Sequence, residues 1–489
     1  MESPQKEIEL TIIKKKAVSG VLALTSRTFL LQLIAFAATF LLTIFLSPAI
    51  FGVFYVVSAI IAFLGYFSDV GLAAALIQKK EDLTREDLVT TFTIQQLLVG
   101  AIVAIAMLFS GWISSFYRLD DAGVWLLRSL IVAFFLSSLK TIPSIILERQ
   151  LEFKKLVIPQ IVETLGFYVT AVALAWRGFG ITSFTYAVLV RAILGVVSLY
   201  ILSPWRMGIG ITHSSAKRLL TFGLPFQVNS FLALLKDDLL TVYLGKILPF
   251  AEVGYIGWAK KWAEVPLRLI MDSVIRVTFP AFARLQHDKK ILGTAIEKTL
   301  FGLALTIFPI TIGLLFFIRP IVAIVPRYSK WEPALFSFAL FAVASAVAAL
   351  STPLTNALNA VGKVKTTLKL MMLWTATTWI LTTLLVGAIG FNGVALSLLL
   401  ITSTVALVVR WAKQISQFSF VGSVRGPLVA ALIQGGLYAL LRVSAMTNPL
   451  WLAATGWVGV ILYVGTVWVF ERQKLIVFIG YIYTKKIHE

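Results

Sequence analysis

Between Val253 and Ala283 the chain is mostly apolar, yet Lys260, Glu264, Arg268, Asp272 and Arg276 recur at every fourth residue with alternating sign. On an α-helix such positions stack on successive turns, so each carboxylate can reach a cation on either side and the set covers roughly 24 Å of axis. A hydrocarbon core is about 30 Å thick. Ionisable groups inside a span face lipid only at high cost, so they are expected to face protein or a water-filled cavity and are functional candidates by default. Mutual neutralisation along the ladder is the plainer alternative, and it is incomplete: with Lys261 added, four cations stand against two carboxylates. The surplus calls for an anion. Pro266, inside the ladder, removes a backbone donor and is expected to kink the helix beside the charges, as a candidate hinge.

The elements that carry these residues are read from apolar runs. With 59% hydrophobic and 13% charged residues in 489, and a mean hydropathy of +0.91, the chain is too apolar for a soluble domain. Runs of about 20 residues predict an all-α integral membrane protein of about 14 transmembrane helices. The first six are at 17–46, 48–77, 88–116, 123–148, 155–176 and 180–203. Six more follow at 219–246, 252–283, 293–318, 333–361, 367–388 and 390–411, and a final pair at 426–442 and 449–470. An inside N-terminus gathers Lys14, Lys79, Arg85, Arg149, Lys154, Lys217, Lys289, Lys363, Lys413 and Arg472 in the cytoplasm. It leaves few cations, such as Arg118, Arg177 and Arg319, outside. That is the positive-inside asymmetry, and it puts both termini in the cytoplasm of a multi-pass inner-membrane protein. The net charge of +20 then lies against anionic headgroups, and no nucleic acid is needed to explain it.

Several functions are excluded on composition. There is no cysteine, hence no disulfide or thiolate metal site. His213, His287 and His488 fall in predicted loops, and no metal centre or cofactor is expected. The phosphate-loop pattern is missing, so the chain is not expected to hydrolyse ATP itself. Segment 1–16 is polar and charged and lacks a signal-peptide pattern, so the first helix is expected to stay in the mature protein.

The chain also repeats. A fixed offset lays Leu46-Ser47-Pro48-Ala49-Ile50-Phe51-Gly52 over Leu248-Pro249-Phe250-Ala251-Glu252-Val253-Gly254, each joining a first helix to a second, and a slightly longer offset lays Pro143 on Pro353 and Lys155 on Lys365. Gly52 and Gly254 read as tight helical starts. The expected organisation is a cytoplasmic N-terminal segment 1–16, a six-helix lobe 17–203, a linker 204–218, a second lobe 219–411, helices 13 and 14 over 426–470, and a cytoplasmic tail 471–489. Six-helix halves keep one orientation, so the two lobes form a parallel pseudo-repeat. Within the spans, Arg27, Arg128, Lys140, Arg191, Lys236, Lys260, Lys261, Arg268 and Arg276 face Asp69, Glu163, Asp237, Asp238, Glu264 and Asp272. About three positive charges remain, which points to an anion-binding cavity. Most of them lie in helices 1, 2, 7 and 8.

The stretch Leu46 to Phe54, followed by Phe67-Ser68-Asp69-Val70-Gly71-Leu72-Ala73-Ala74-Ala75-Leu76-Ile77-Gln78, resembles the start of the polysaccharide-biosynthesis flippases. These are the Wzx-type transporters of the multidrug/oligosaccharidyl-lipid/polysaccharide superfamily. Leu147-Glu148-Arg149-Gln150-Leu151-Glu152-Phe153-Lys154 resembles their teichuronic- and colanic-acid exporter branch. The resemblance implies a transporter, not an enzyme, that flips a polyprenyl-pyrophosphate-linked oligosaccharide from the inner to the outer leaflet by alternating access. It further implies a central cavity between two lobes, bordered by helices 1, 2, 7 and 8, and a polysaccharide polymerase as a possible partner.

For such a cargo, fixed cations must replace the water around a pyrophosphate, and the planar fork of Arg suits phosphate oxygens. Arg27, Arg268 and Arg276, with Lys260 and Lys261, are the expected headgroup ligands. Asp69, Asp237, Asp238, Glu264, Asp272 and Glu163 would orient those cations or carry a coupling proton or sodium ion. Two other classes stay open. A drug or cation exporter of the same superfamily would have an acidic, aromatic cavity, and a membrane polymerase or ligase acting on lipid-linked sugars would need catalytic groups on outer loops that offer little beyond Arg118, Asp120, Asp121 and Glu332.

Overall fold

The computed structural model describes residues 29–79 and 81–485, with backbone alone at 222–236, Val265, Pro266, Leu269, Asp272, Ser273, Arg276 and 477–485. Among the described residues every regular element is helical and no strand occurs. Internal contacts divide the chain into two compact units, Met1–Gly254 and Tyr255–Glu489. The first contains α1 (Phe29–Phe45), α2 (Pro48–Gly65), α3 (Leu72–Gln78), α4 (Arg85–Leu108), α5 (Ser110–Tyr117), α6 (Asp121–Ser138), α7 (Thr141–Arg149), α8 (Phe153–Trp176), α9 (Thr182–Leu202) and α10 (His213–Ile247). The helix α11 (Phe250–Leu285) begins there and runs through the second. That unit continues with α12 (Lys289–Ile324), α13 (Leu335–Ala360), α14 (Val364–Ile389), α15 (Asn392–Ile401), α16 (Val405–Ala412), α17 (Phe420–Leu440) and α18 (Pro449–Lys485).

Eleven segments among the described residues are long and apolar enough to cross a membrane, which makes this a multi-pass membrane protein. The long helices α10 and α11 lie partly outside the described side chains; α11 carries ionisable residues along its length, whereas α10 has none between Arg218 and Lys236. The expected linker 204–218 and the compact units are cut differently. Helix α10 starts at His213, inside that linker, and packs against α2, α3 and α4 of the first unit. Its start is held by tertiary contacts: the Thr212 amide donates to Thr90 Oγ1 and Ser215 reaches α4. Past the kink at Glu471 (φ −131°, ψ 27°), α18 runs on through much of the expected 471–489 tail.

Local sequence explains where the helices begin. Thr84 and Asp87 form a reciprocal capping box at α4; Asp120, Asp288 and Ser419 cap α6, α12 and α17; and Pro48 occupies the first turn of α2. In lipid, helix association relies on close approach and interhelical hydrogen bonds more than on apolar burial. Helix α13 buries Ala342, Ala346, Ala349 and Ala357 against its neighbours in the second unit. In the first unit Gln95 donates to Thr141 Oγ1 at 2.9 Å and Gln96 to Ser138 Oγ at 3.1 Å, tying α4 to the α6–α7 segment.

Gly52 and Gly254 have a different use from the one expected. A Cβ on Gly52 would overlap the backbone carbonyl of Phe250, and one on Gly254 would overlap that of Pro48. The two turns that repeat in sequence thus seat on each other reciprocally, and each glycine is required by a backbone passing over it. Replacing either glycine with alanine should therefore cost about 1–3 kcal/mol through overpacking. Gly100, in α4 with nothing near its missing Cβ, should tolerate alanine. Melting of the three purified variants in detergent checks this, and equal melting of all three would contradict it.

Candidate functional site

The charge ladder lies on α11, where Arg268 Nη2 donates to Glu264 Oε2 at 3.0 Å in an i,i+4 pair. The carboxylate is largely covered and the guanidinium is 68% exposed. The pair gives Glu264 one partner and, among the described residues, takes up one of Arg268's nitrogens. Lys260 and Lys261, about one turn before Glu264, are half-buried, and Trp258 and Ala263 near them in sequence are fully buried. The side chains of Pro266, Asp272 and Arg276 lie outside the described residues, as do all of Arg27 and the side chain of Lys236. Of the expected headgroup cations, the described geometry covers Lys260, Lys261 and Arg268 alone.

The carboxylates separate into different settings. Asp69 sits where the second span is broken: α2 stops at Gly65, α3 starts at Leu72, and between them Val70 and Gly71 adopt left-handed φ values of 49° and 76°. A β-branched residue there is strained. Asp69 Oδ1 accepts from the Ala73 amide at 3.1 Å and Ser68 Oγ donates to the Gly65 carbonyl, so side chains supply part of what the broken ladder lacks. On α10, Asp237 is exposed and Asp238 half-buried. Glu163 on α8 is buried and accepts from Lys140 Nζ at 2.6 Å, with Arg191 Nε at 3.9 Å from its other oxygen. Lys140 stands at the break between α6 and α7.

One cluster escaped the sequence reading. Asp87 is fully buried at the start of α4 and is met by Lys79 Nζ at 2.5 Å, Arg218 Nη2 at 2.7 Å, Ser215 Oγ at 2.9 Å and Thr84 Oγ1 at 2.9 Å. Lys79 reads from sequence only as a loop cation, and the Thr84-x-x-Asp87 spacing is the available signal. Nearby, Arg149 donates to the carbonyls of Leu76, Lys79 and Glu81, closing the end of α3. These groups lie at the ends of helices predicted to face the cytoplasm, and all are spent on one another. They are structural.

The second unit also contains an apolar groove of about 800 Å³, lined by Ile270, Leu305, Ile310, Phe317, Val460 and Val464 with Gln434 and Tyr438 at its wall. Gln434 Nε2 donates to Tyr438 Oη at 3.0 Å, and that hydroxyl lies 3.3 Å from the Gly456 carbonyl. The groove offers a long hydrocarbon chain contact but almost no hydrogen bonding.

The profile of a family described as polysaccharide biosynthesis protein matches residues 41–336. The lipopolysaccharide biosynthesis protein WzxC of Escherichia coli K12 is 26% identical over 322 residues, 65% of each chain. The teichuronic acid biosynthesis protein TuaB of Bacillus subtilis 168 is 25% identical over 250 residues, 50% of this chain and 51% of TuaB. These alignments span less than two thirds of either relative's length. Among solved structures, the lipid II flippase MurJ in an inward closed conformation superposes with a TM-score of 0.73 at 15% identity, over 92% of this chain and 99% of MurJ. That likeness is one of fold.

The Asp87 cluster yields a direct test of its structural role. Asp87→Ala strands Lys79, whose side chain is 8% exposed, and removes four contacts from one carboxylate, so it should lower stability by about 3–5 kcal/mol. Asp288→Ala, which removes only an exposed helix cap, should cost about 1 kcal/mol. Thermal melting in detergent distinguishes them; an Asp87→Ala protein that melts with the wild type would show that the network contributes nothing.

Proposed function

We propose that this chain, which belongs to the polysaccharide biosynthesis protein family, is a flippase that carries a polyprenyl-pyrophosphate-linked oligosaccharide from the inner to the outer leaflet. The observation that carries the reading is Arg268: a guanidinium 68% exposed on a helix of ladder-spaced charges, with one of its nitrogens on Glu264. On insertion scales a central Arg or Lys costs about 2.5–3.5 kcal/mol in a span. An exposed one is useful only where it meets water or an anion, and a pyrophosphate needs such a partner to leave the headgroup region. The names of WzxC and TuaB tie those relatives to lipopolysaccharide and teichuronic acid biosynthesis, and MurJ is named a lipid II flippase. Lipid-linked sugars are the cargo chemistry that fits both.

In this reading Arg27, Arg268 and Arg276 bind the headgroup with Lys260 and Lys261, in a central cavity bordered by the first, second, seventh and eighth spans of a fourteen-helix, two-lobed arrangement. Pro266 serves as the hinge beside them. Asp69, Asp237, Asp238, Glu264, Asp272 and Glu163 orient the cations or exchange a coupling proton or sodium ion. The apolar groove supports a lipid cargo as well, since a polyprenyl tail can lie along Ile270, Leu305 and Val464 while the sugars stay in water. The protein sits in the cytoplasmic membrane with both termini inside, and a polysaccharide polymerase takes the product on the outer face.

Depletion of the protein in its host should make one lipid-linked glycan accumulate in the inner leaflet, and unchanged leaflet distribution of every such glycan would overturn the proposal. In reconstituted vesicles Arg27→Ala and Arg268→Ala should each slow glycan flipping at least tenfold, with Arg→Lys intermediate because it keeps the charge and loses the fork. Arg268→Ala leaves Glu264 without its partner, so its melting must be compared with wild type. Folded Arg27→Ala protein that flips at the normal rate would remove Arg27 from the headgroup site. If Asp69 carries a coupling ion, Asp69→Asn should abolish the dependence of flipping on a proton or sodium gradient while headgroup binding survives; equal loss of both would make it an orienting partner.

A further inference from the structure

A second exposed cation lies apart from the ladder, on α9. Arg191 is the sole Asp, Glu, Lys or Arg in Thr182–Leu202, and by the rise of an α-helix it stands roughly 14 Å from one end and roughly 17 Å from the other. From the middle of a hydrocarbon layer about 30 Å thick, an Arg side chain cannot extend to either interface. It must meet something polar where it is.

What surrounds it holds the guanidinium without using it up. Lys140 and Glu163 form a close pair at 2.6 Å, with side chains 18% and 12% exposed, and Glu163 is pressed against Gly195, where a Cβ would overlap its carboxylate. That pair is neutral by itself. Arg191 adds an unbalanced charge at 3.9 Å from Glu163 Oε2, beyond hydrogen-bond length, and its side chain is 57% exposed. Its guanidinium carbon lies 6.0 Å from the centroid of the Phe167 ring, which is itself stacked on Phe184. The ring and the carboxylate flank the guanidinium, and among the described residues nothing hydrogen-bonds its two terminal nitrogens, which stay open to a ligand.

We infer that Arg191, positioned by Glu163 and Phe167, is a second oxyanion-binding site in the first unit, taking a two-oxygen anionic group of the cargo. The inference rests on the flippase reading and extends it. A planar fork with two unused nitrogens matches either a phosphate or a carboxylate, so the group is the pyrophosphate of the lipid carrier or the carboxylate of an acidic sugar. Glu163 acts here as a positioning residue, and Lys140 keeps its charge compensated whether or not a ligand is bound.

The test uses the full-length protein in lipid nanodiscs and two probes, undecaprenyl pyrophosphate without sugar and a lipid-free trisaccharide containing glucuronate. Arg191→Ala should weaken binding of one probe at least tenfold, with Arg191→Lys recovering part of it and melting near wild type. Loss confined to undecaprenyl pyrophosphate assigns the site to phosphate; loss confined to the trisaccharide assigns it to a sugar carboxylate; loss of both supports a shared site. Arg191→Ala that leaves unchanged every probe the wild type binds, while Arg268→Ala still weakens undecaprenyl pyrophosphate, overturns the Arg191 site and spares the flippase reading. Wild-type protein that binds neither probe overturns both. Should Arg191→Ala fail to fold, Arg191→Gln, which keeps length and polarity and removes the charge, reads the same outcomes.

Discussion

The cost of an ionisable group in hydrocarbon is the constraint around which this chain is organised, and it is met in two ways. Among the described residues several buried carboxylates are matched by neighbours: Asp87 gathers Lys79, Arg218 and two hydroxyls, Glu163 takes Lys140, and Glu264 takes Arg268. In each group the carboxylate is the most deeply covered member, so the structure neutralises its acids first. In the Glu163 and Glu264 groups, Arg191 and Arg268 are the members left exposed. Around Arg191 the one described carboxylate, Glu163, is already held by Lys140. An external anion is the remaining counter-charge.

Charge and backbone interruption also coincide. Asp69 stands in the break between α2 and α3, Lys140 between α6 and α7, and Glu471 at the kink of α18. A broken helix in a membrane releases amides and carbonyls that need partners, and a polar side chain at the break can supply one, as Asp69 does for the Ala73 amide. The same interruptions free a side chain to leave the helix surface. Breaks and charges therefore stabilise one another, and a chain with several of each has more sites able to change shape than an uninterrupted bundle has.

The fold class was legible because hydrophobic runs of membrane length are long-range composition signals, and the all-helical, multi-pass architecture follows from them with little help from tertiary detail. What composition could not show was tertiary. Helix α10 begins earlier than its apolar run because Ser215 and Arg218 are held by Asp87, and no window over residues 204–218 contains that information. Asp87 itself looked like an ordinary first-turn acid, and only its spacing from Thr84 marked it. Gly52 and Gly254 were visible as a repeat, but the reason for both was a backbone elsewhere in the chain. Of the candidate site, the ladder on α11 was readable from period and sign alone, since i,i+4 charge pairing is a local property; the connection of Glu163 to Lys140 and Arg191 joins three helices and was not.

The surplus cations bear on direction as well as on binding. A pyrophosphate of about two negative charges moving outward through an inside-negative potential gains roughly 2.3 kcal/mol per charge per 100 mV. Arg191 and Arg268 are fixed to the scaffold, so as long as they do not cross the field with the headgroup they lower the barrier without cancelling that gain. A proton or sodium ion carried inward on the return step would add to the drive, and one carried outward with the cargo would subtract from it. On the proposed reading the cations would hold the anion while it crosses, and the field would decide which way it leaves.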